Sequence, residues 1–214
     1  MLHNAKQRRE LRRASLRSEL IAAAHKLVQE EGYDALTIRK LAQRVGLAPM
    51  SVYSYFADKQ DILYALAEDA FEALAQRIEQ HQSDDPLEAL RAVMVEYAAF
   101  GLGNPDEYRI VAMTEHVTPA EKLEAGQPQE RNPAMELLIG RVEACVKAGK
   151  LSGDARAIAT MLWAVGHGTI ALLITFPHYQ FGEAKVFAER MYDLTLAGLT
   201  AQHIAPLSDE PATC

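Results

Sequence analysis

A chain of 214 residues with 49% apolar content is long and apolar enough for one large or two modest domains with a sizeable core. Its two cysteines, Cys145 and Cys214, supply neither a disulfide framework nor metal-ligand spacing, and the basic N-terminal stretch has no apolar run behind it. A secretory leader is therefore not expected, and a reducing cytoplasm is the expected compartment. The net charge of −7 argues by itself against a nucleic-acid partner, but it is unevenly spread: residues 1–62 hold 11 Lys+Arg against 7 Asp+Glu, and the remainder 11 against 22. One basic end on an acidic protein fits a polyanion partner for that end or an idle basic tail, and charge alone leaves both open.

In chain order, apolar residues recur at helical spacing and period-two strand runs are missing, which predicts an all-α fold of about nine helices. Leu20, Ile21, Ala24, Leu27 and Val28 line one face of a first helix, with Gly32 as its stop. Thr37 caps a short second helix whose inner face is Ile38, Leu41, Ala42 and Val45, and Gly46 supplies the positive φ of a tight turn. Pro49 opens a third helix over residues 49–56. Asp58, with Asp61 at the N3 position, caps a long fourth helix carrying Ile62, Leu66, Ala70, Leu74 and Ile78 on one face. A fifth helix runs from Pro86 to about Phe100, and a sixth follows the "GLGNPDEY" break. The polar segment "TPAEKLEAGQPQERNP" reads as a loop; helices near 133–148, 154–176 and 183–201 follow, and the tail after Pro206 reads as disordered.

The second and third helices, short and joined by a glycine turn, make the helix-turn-helix pattern. At about 100° per residue, Phe56 and Pro49 share a face with Val52, Met50 and Ser54 point the opposite way, and Tyr53 and Tyr55 flank them, with Ser51 beside Tyr55. That arrangement suits a helix in a major groove, its centre on base edges and its hydroxyl-bearing flanks on phosphates. Met50 can meet only apolar surface such as a thymine methyl, whereas Ser54 can donate or accept. The tyrosines fit equally well as half-buried packing residues. Lys59 in the first turn of the fourth helix opposes the helix dipole, which makes sense if an external phosphate sits there. Arg39 and Lys40 add charge on that side. Lys6, Arg8, Arg9, Arg12 and Arg13 read either as an arm on DNA or as the solvated face of a longer first helix.

Residues 18–64, through "EEGYDALTIRKLAQRVGL", "SVYSYF" and "DKQDIL", resemble the DNA-binding head of the tetracycline-repressor family. The resemblance implies a three-helix DNA-binding domain over residues 1–62, a helical ligand-binding and dimerisation domain over 63–204, and a dimer on a palindromic operator. It places Arg39, Pro49, Met50, Ser51, Tyr53, Ser54, Tyr55 and Lys59 at DNA-contact positions. Ala48 departs from the capping Ser common there, and Met50 from a frequent Gly or Pro.

"AIATMLWAVGHGTIALLITF", residues 157–176, carries no formal charge and nominally meets the length of a membrane span. Its two Gly, three Thr and one His, without a flanking positive cluster, predict burial in a helical domain or a subunit interface instead. Trp163, His167 and Gly168, with "NPDEYRIVAM", resemble a C-terminal domain type of the same family whose last two helices pair in a dimer. This implies a homodimer through 154–176 and 183–201. Met94, Tyr97, Phe100, Tyr108, Met113, Trp163 and His167 are candidate walls of an effector pocket, each also fitting plain core. The lack of charge nearby favours an apolar or neutral aromatic effector. No G-x-S-x-G, His-Glu-x-x-His, Walker loop or Cys/His metal spacing occurs, so no catalytic residue, metal or cofactor is expected. The expected function is a cytoplasmic transcriptional regulator, a repressor released by a small molecule; the alternative is a DNA-bound protein whose large domain docks a protein partner.

Overall fold

The structure, a computed structural model, describes residues 2–113 and 132–207, with side chains from residue 6 onward and Val111 excepted. Nearly all of the expected loop at 118–133, and the tail beyond residue 207, lie outside these residues. The described residues form nine α-helices: α1 (Leu2–Glu31), α2 (Ile38–Arg44), α3 (Pro49–Tyr53), α4 (Lys59–Glu79), α5 (Pro86–Gly103), α6 (Pro105–Met113), α7 (Pro133–Lys147), α8 (Ala155–Thr175) and α9 (Ala184–Thr200). A 3-10 turn at Tyr33–Ala35 follows α1. They fall into two compact units, one of residues 2–70 and 106–113, the other of 71–105 and 132–207.

The first unit is built on the apolar stripe that α1 presents. Leu20, Ala24, Leu27 and Val28 are buried with Leu41 and Ala42 of α2, Val52 and Phe56, Ile62, Leu63 and Leu66 of α4, and Ile110 of α6. Gly32 ends α1 with φ +82°, a conformation that a Cβ disfavours. α1 starts far ahead of this core. Its first turns make a helix, so the basic N-terminal residues are not an extended arm.

The second unit packs α5, α7, α8 and α9 around Leu90, Val93, Met94, Val142, Ile158, Leu162, Ile170 and Tyr192. Its helices start at side-chain caps: Asp85 on α5, Asn132 on α7, Asp154 on α8 and Glu183 on α9 each accept from backbone N–H groups of the first turn. α8 is long and apolar enough to cross a membrane, but Ile158, Leu162, Gly166, Ile170 and Ile174 bury one side of it in this helical core. The Cys145 thiol is buried there, and desolvation pushes its pKa up to about 11, the behaviour of a structural cysteine. One feature departs from the all-α expectation. Ser152–Gly153 (β1) pairs in parallel with His203–Ile204 (β2), clipping the segment after α9 back onto the start of α8. Two residues per strand carry no periodicity for the sequence to display.

Candidate nucleic-acid interface

The helix-turn-helix is assembled by local chemistry. The Lys40 N–H donates to Thr37 Oγ1 at 3.1 Å, capping α2. The chain then reverses at Gly46, φ +70°, and the Leu47 N–H donates to the Ala42 carbonyl at 2.9 Å. Ala48 sits in extended backbone before Pro49 and makes no side-chain cap, so α3 begins on backbone bonds alone, with Ser51 N–H on the Ala48 carbonyl at 2.9 Å. α3 is shorter than the 49–56 span expected for it. The α-helix closes at Tyr53, where the Ser54 hydroxyl donates to the Ser51 carbonyl at 2.6 Å and competes for the acceptor a longer helix would use. Phe56 still faces inward through a turn whose N–H reaches the Val52 carbonyl at 3.1 Å. The Asp61 N–H donates to Asp58 Oδ1 at 2.9 Å and the Ala57 N–H to Asp61 Oδ2 at 3.0 Å, which starts α4 at once.

This scaffold sorts the side chains of residues 49–56. Val52 and Phe56 are buried in the core of the first unit. On the other side Met50 is 76% exposed and Tyr53 48%, with Pro49 and Ser54 also exposed and Ser51 and Tyr55 half-buried. The outward surface of α3 therefore offers a thioether, hydroxyls and a phenol, and no charge.

The cations around it divide. Arg39 is exposed and forms no ion pair among the described residues. Lys40 is held by Glu31 at 2.7 Å, and Arg44 by Glu30 and Glu31. Lys40 and Arg44 hold the Glu31 carboxyl below its ordinary range, the Lys40 hydrogen bond being the main cause. Lys59 has an internal partner that the sequence did not reveal: its ammonium lies 4.4 Å from the centroid of the Tyr33 ring. The ring steadies the ammonium at this helix N-terminus.

The seven candidate pocket residues divide between the two units, Tyr108 and Met113 in the first and the other five in the second. Met94, Tyr97 and Phe100 are buried on α5, in the second unit. Gly166 of α8 lies directly over two of them; a Cβ there would stand 3.1 Å from Met94 Cε and 3.3 Å from Tyr97 Cδ1, so the glycine makes room for its bulky neighbours. Tyr108 is buried in α6 of the first unit, whereas Met113 at its end is 41% exposed. Trp163 is 45% exposed on α8, its ring 6.2 Å from that of half-buried His167, whose proton affinity burial lowers. Two features escaped sequence reasoning. The Tyr192 hydroxyl of α9 is buried without a hydrogen-bond partner among the described residues. In the first unit, His25 of α1 bonds Asp69 of α4 at 3.1 Å and Glu107 of α6 at 3.0 Å. A histidine inside an apolar stripe was the only signal for that tie.

Comparison with known proteins matches residues 20–66 to the family described as "Bacterial regulatory proteins, tetR family" and residues 90–199 to "Tetracyclin repressor-like, C-terminal domain". The nucleoid occlusion factor SlmA of Vibrio vulnificus is 35% identical over 104 residues, 47% of this chain and 53% of the relative. The tetracycline repressor protein class A from transposon 1721 of Escherichia coli is 30% identical over 136 residues, 64% of this chain and 56% of the relative. The chain thus spans about half the length of the curated relatives it matches. Among solved structures, a protein of unknown function from Rhodococcus sp. RHA1 superposes with a TM-score of 0.69 at 26% identity, covering 86% of this chain and 95% of that one.

Proposed function

The chain belongs to the tetR family of bacterial regulatory proteins, and from that premise we propose that it is a cytoplasmic, sequence-specific DNA-binding transcriptional regulator. It acts as a repressor that binds a palindromic operator as a homodimer and is released by a small apolar or aromatic effector. The observation that carries this reading is the sorting within residues 49–56: Val52 and Phe56 are locked in the core while Met50, Tyr53 and Ser54 stand exposed, uncharged and side by side. A surface of that chemistry gains little from water and much from a groove lined by base edges and phosphates. In the proposed complex Met50 meets a thymine methyl, Pro49, Ser51 and Ser54 line the base edges, and Tyr53, Tyr55, Arg39 and Lys59 reach phosphates. Lys59 keeps its Tyr33 contact while doing so.

Dimerisation is supported by the outer side of α8, where Met161, Ala164, Val165, Gly168, Leu172 and Thr175 recur at helical spacing without one charge, all exposed or half-exposed. Val186 and Leu194 extend the apolar surface on α9. Covering such area is worth about 25 cal/mol per Å². Trp163, exposed on α8, suits this contact better than a pocket wall. The effector reading rests on Met94, Tyr97, Phe100 and His167 of the second unit. The Tyr192 hydroxyl, buried near Tyr97 without a hydrogen-bond partner among the described residues, favours a ligand with one hydrogen-bonding group on an apolar frame. Release is a population shift: an effector that prefers a head spacing unlike that of successive major grooves draws the dimer off DNA.

The test begins with selection of duplexes from random sequence, followed by anisotropy titration. Tyr53→Phe is expected to weaken binding to the selected duplex and to leave the sedimentation of the protein unchanged; equal affinity of the two proteins rejects the assignment. The alternative reading keeps the DNA contact and has the large domain dock a protein partner. Duplex binding that no apolar or aromatic compound releases would support that second reading.

A further inference from the structure

We propose that the first turns of α1 are a second DNA-contacting element, a rigid cationic ridge that grips the phosphate backbone beside the groove entered by α3; this rests on the DNA-binding reading above. Residues 27, 24, 20, 16, 13, 9 and 6 follow one another at steps of three or four along α1, and so lie on one face. Over the core that face is Leu27, Ala24, Leu20 and Leu16. Once the helix passes beyond the core the same face becomes Arg13, Arg9 and Lys6, with Arg12 and Arg8 turned next to it. A helix face that is apolar against its own protein and cationic beyond it is made for two different surfaces, the second of them negative.

The ridge is anchored to the recognition segment. The Arg13 guanidinium donates to the Ser54 carbonyl at 3.3 Å and lies 6.0 Å from the centroid of Tyr55, and Arg17 stands 5.3 Å from that of Phe56. Arg9, Arg12, Arg13 and Leu16 of α1 and Ser54 and Tyr55 line a single surface groove. Three guanidiniums thus share one concavity with two residues of the proposed reading surface. Arg9 and Arg12 are exposed and form no ion pair among the described residues. The only acid among residues 6–18 is Glu10, set against Lys6 at 3.9 Å. A groove of that charge, continuous with a DNA-reading surface, fits phosphodiester oxygens, for which guanidinium is the matching donor. Residues 2–15 project about 21 Å at 1.5 Å per residue, the length of about six base pairs at 3.4 Å each. The ridge therefore reaches backbone outside the bases that α3 reads and contributes affinity without sequence preference.

The test uses the full chain and the Arg9→Ala/Arg12→Ala variant, whose two side chains make no ion pair among the described residues. Arg13 is left in place because it holds Ser54. Anisotropy is followed against salt on a duplex obtained by selection, with and without about six flanking base pairs. The variant is expected to lose about 1.8 from the slope of log K on log salt, at about 0.9 per phosphate. It should keep the base preferences of the unaltered protein and lose less affinity than that protein when the flanks are trimmed. An unchanged slope and affinity, with normal duplex binding by the unaltered chain, overturns the ridge and leaves the regulator assignment standing. A lack of salt-dependent binding by the unaltered chain overturns both. Changed base preference in the variant assigns the arginines to base edges and also overturns the proposal.

Discussion

Replacing His25 with alanine is expected to loosen the first unit, and more so in acid than in base. The imidazole joins three helices that are distant in sequence, with Nε2 3.1 Å from Asp69 and Nδ1 3.0 Å from Glu107. Burial by itself lowers its proton affinity, but the hydrogen bond and charge of Glu107, then those of Asp69, outweigh burial and raise the pKa above the ordinary 6.5. Below the unfolded-chain value the ring is charged in both states, and the two ion pairs contribute in full. Their contribution is lost as pH rises from about 6.5 through the higher folded value. Severing a fully buried pair costs about 3–5 kcal/mol. Glu107, 15% exposed, comes close to that case, whereas Asp69, 63% exposed, behaves as a surface partner worth under about 1 kcal/mol. We therefore expect a loss of about 3 kcal/mol near pH 6, or about 6–12 °C in Tm for a chain of this length. The gap should be narrower at pH 9, because the unaltered protein loses the proton as pH rises. Thermal unfolding followed by circular dichroism at both pH values measures it. A gap that is the same at both pH values refutes the ion-pair argument, and one under about 1 kcal/mol refutes the estimate of burial.

Ala48→Ser places a hydroxyl at the uncapped start of α3, where the backbone is already extended, and should add about 1 kcal/mol to stability in denaturant titration. Gly153→Ala, at φ +124°, drives a Cβ into the carbonyl oxygen of Ile204. We expect β1 and β2 to part and the Asp154 amide, now bonded to the Ile204 carbonyl at 2.7 Å, to lose its protection in hydrogen exchange. Leu172→Glu puts a charge on the apolar outer side of α8 and should convert the proposed dimer to monomer in sedimentation while leaving helix content unchanged.

The helices were legible because what makes them is local. Ile62, Leu66, Ala70, Leu74 and Ile78 recur at the step of one turn, and all five are buried along α4. Thr37 caps α2 and Asp58 caps α4 because a short polar side chain reaches an amide two or three residues on, wherever the rest of the chain goes. Gly46 takes its positive φ for the same local reason. The outward chemistry of residues 49–56 was readable too, since Val52 and Phe56 had to face inward together.

What the sequence withheld was set by distance along the chain. The contact of Lys59 with the Tyr33 ring could not be read, because only the fold brings the two together from 26 positions apart. The basic N-terminus read equally as arm or helix because its choice depends on Ser54, Tyr55 and Phe56, which α1 meets only once the core has formed. Trp163 read as a pocket wall or plain core; which side of its apolar helix stays open in the single chain depended on where α5, α7 and α9 packed. Local periodicity and capping determined which segments are helical and which side of each is apolar, because those energies act within a turn or two. Partners, exposure and the tie between His25, Asp69 and Glu107 were decided by tertiary packing alone, because contacts between distant residues exist only after the chain has closed on itself.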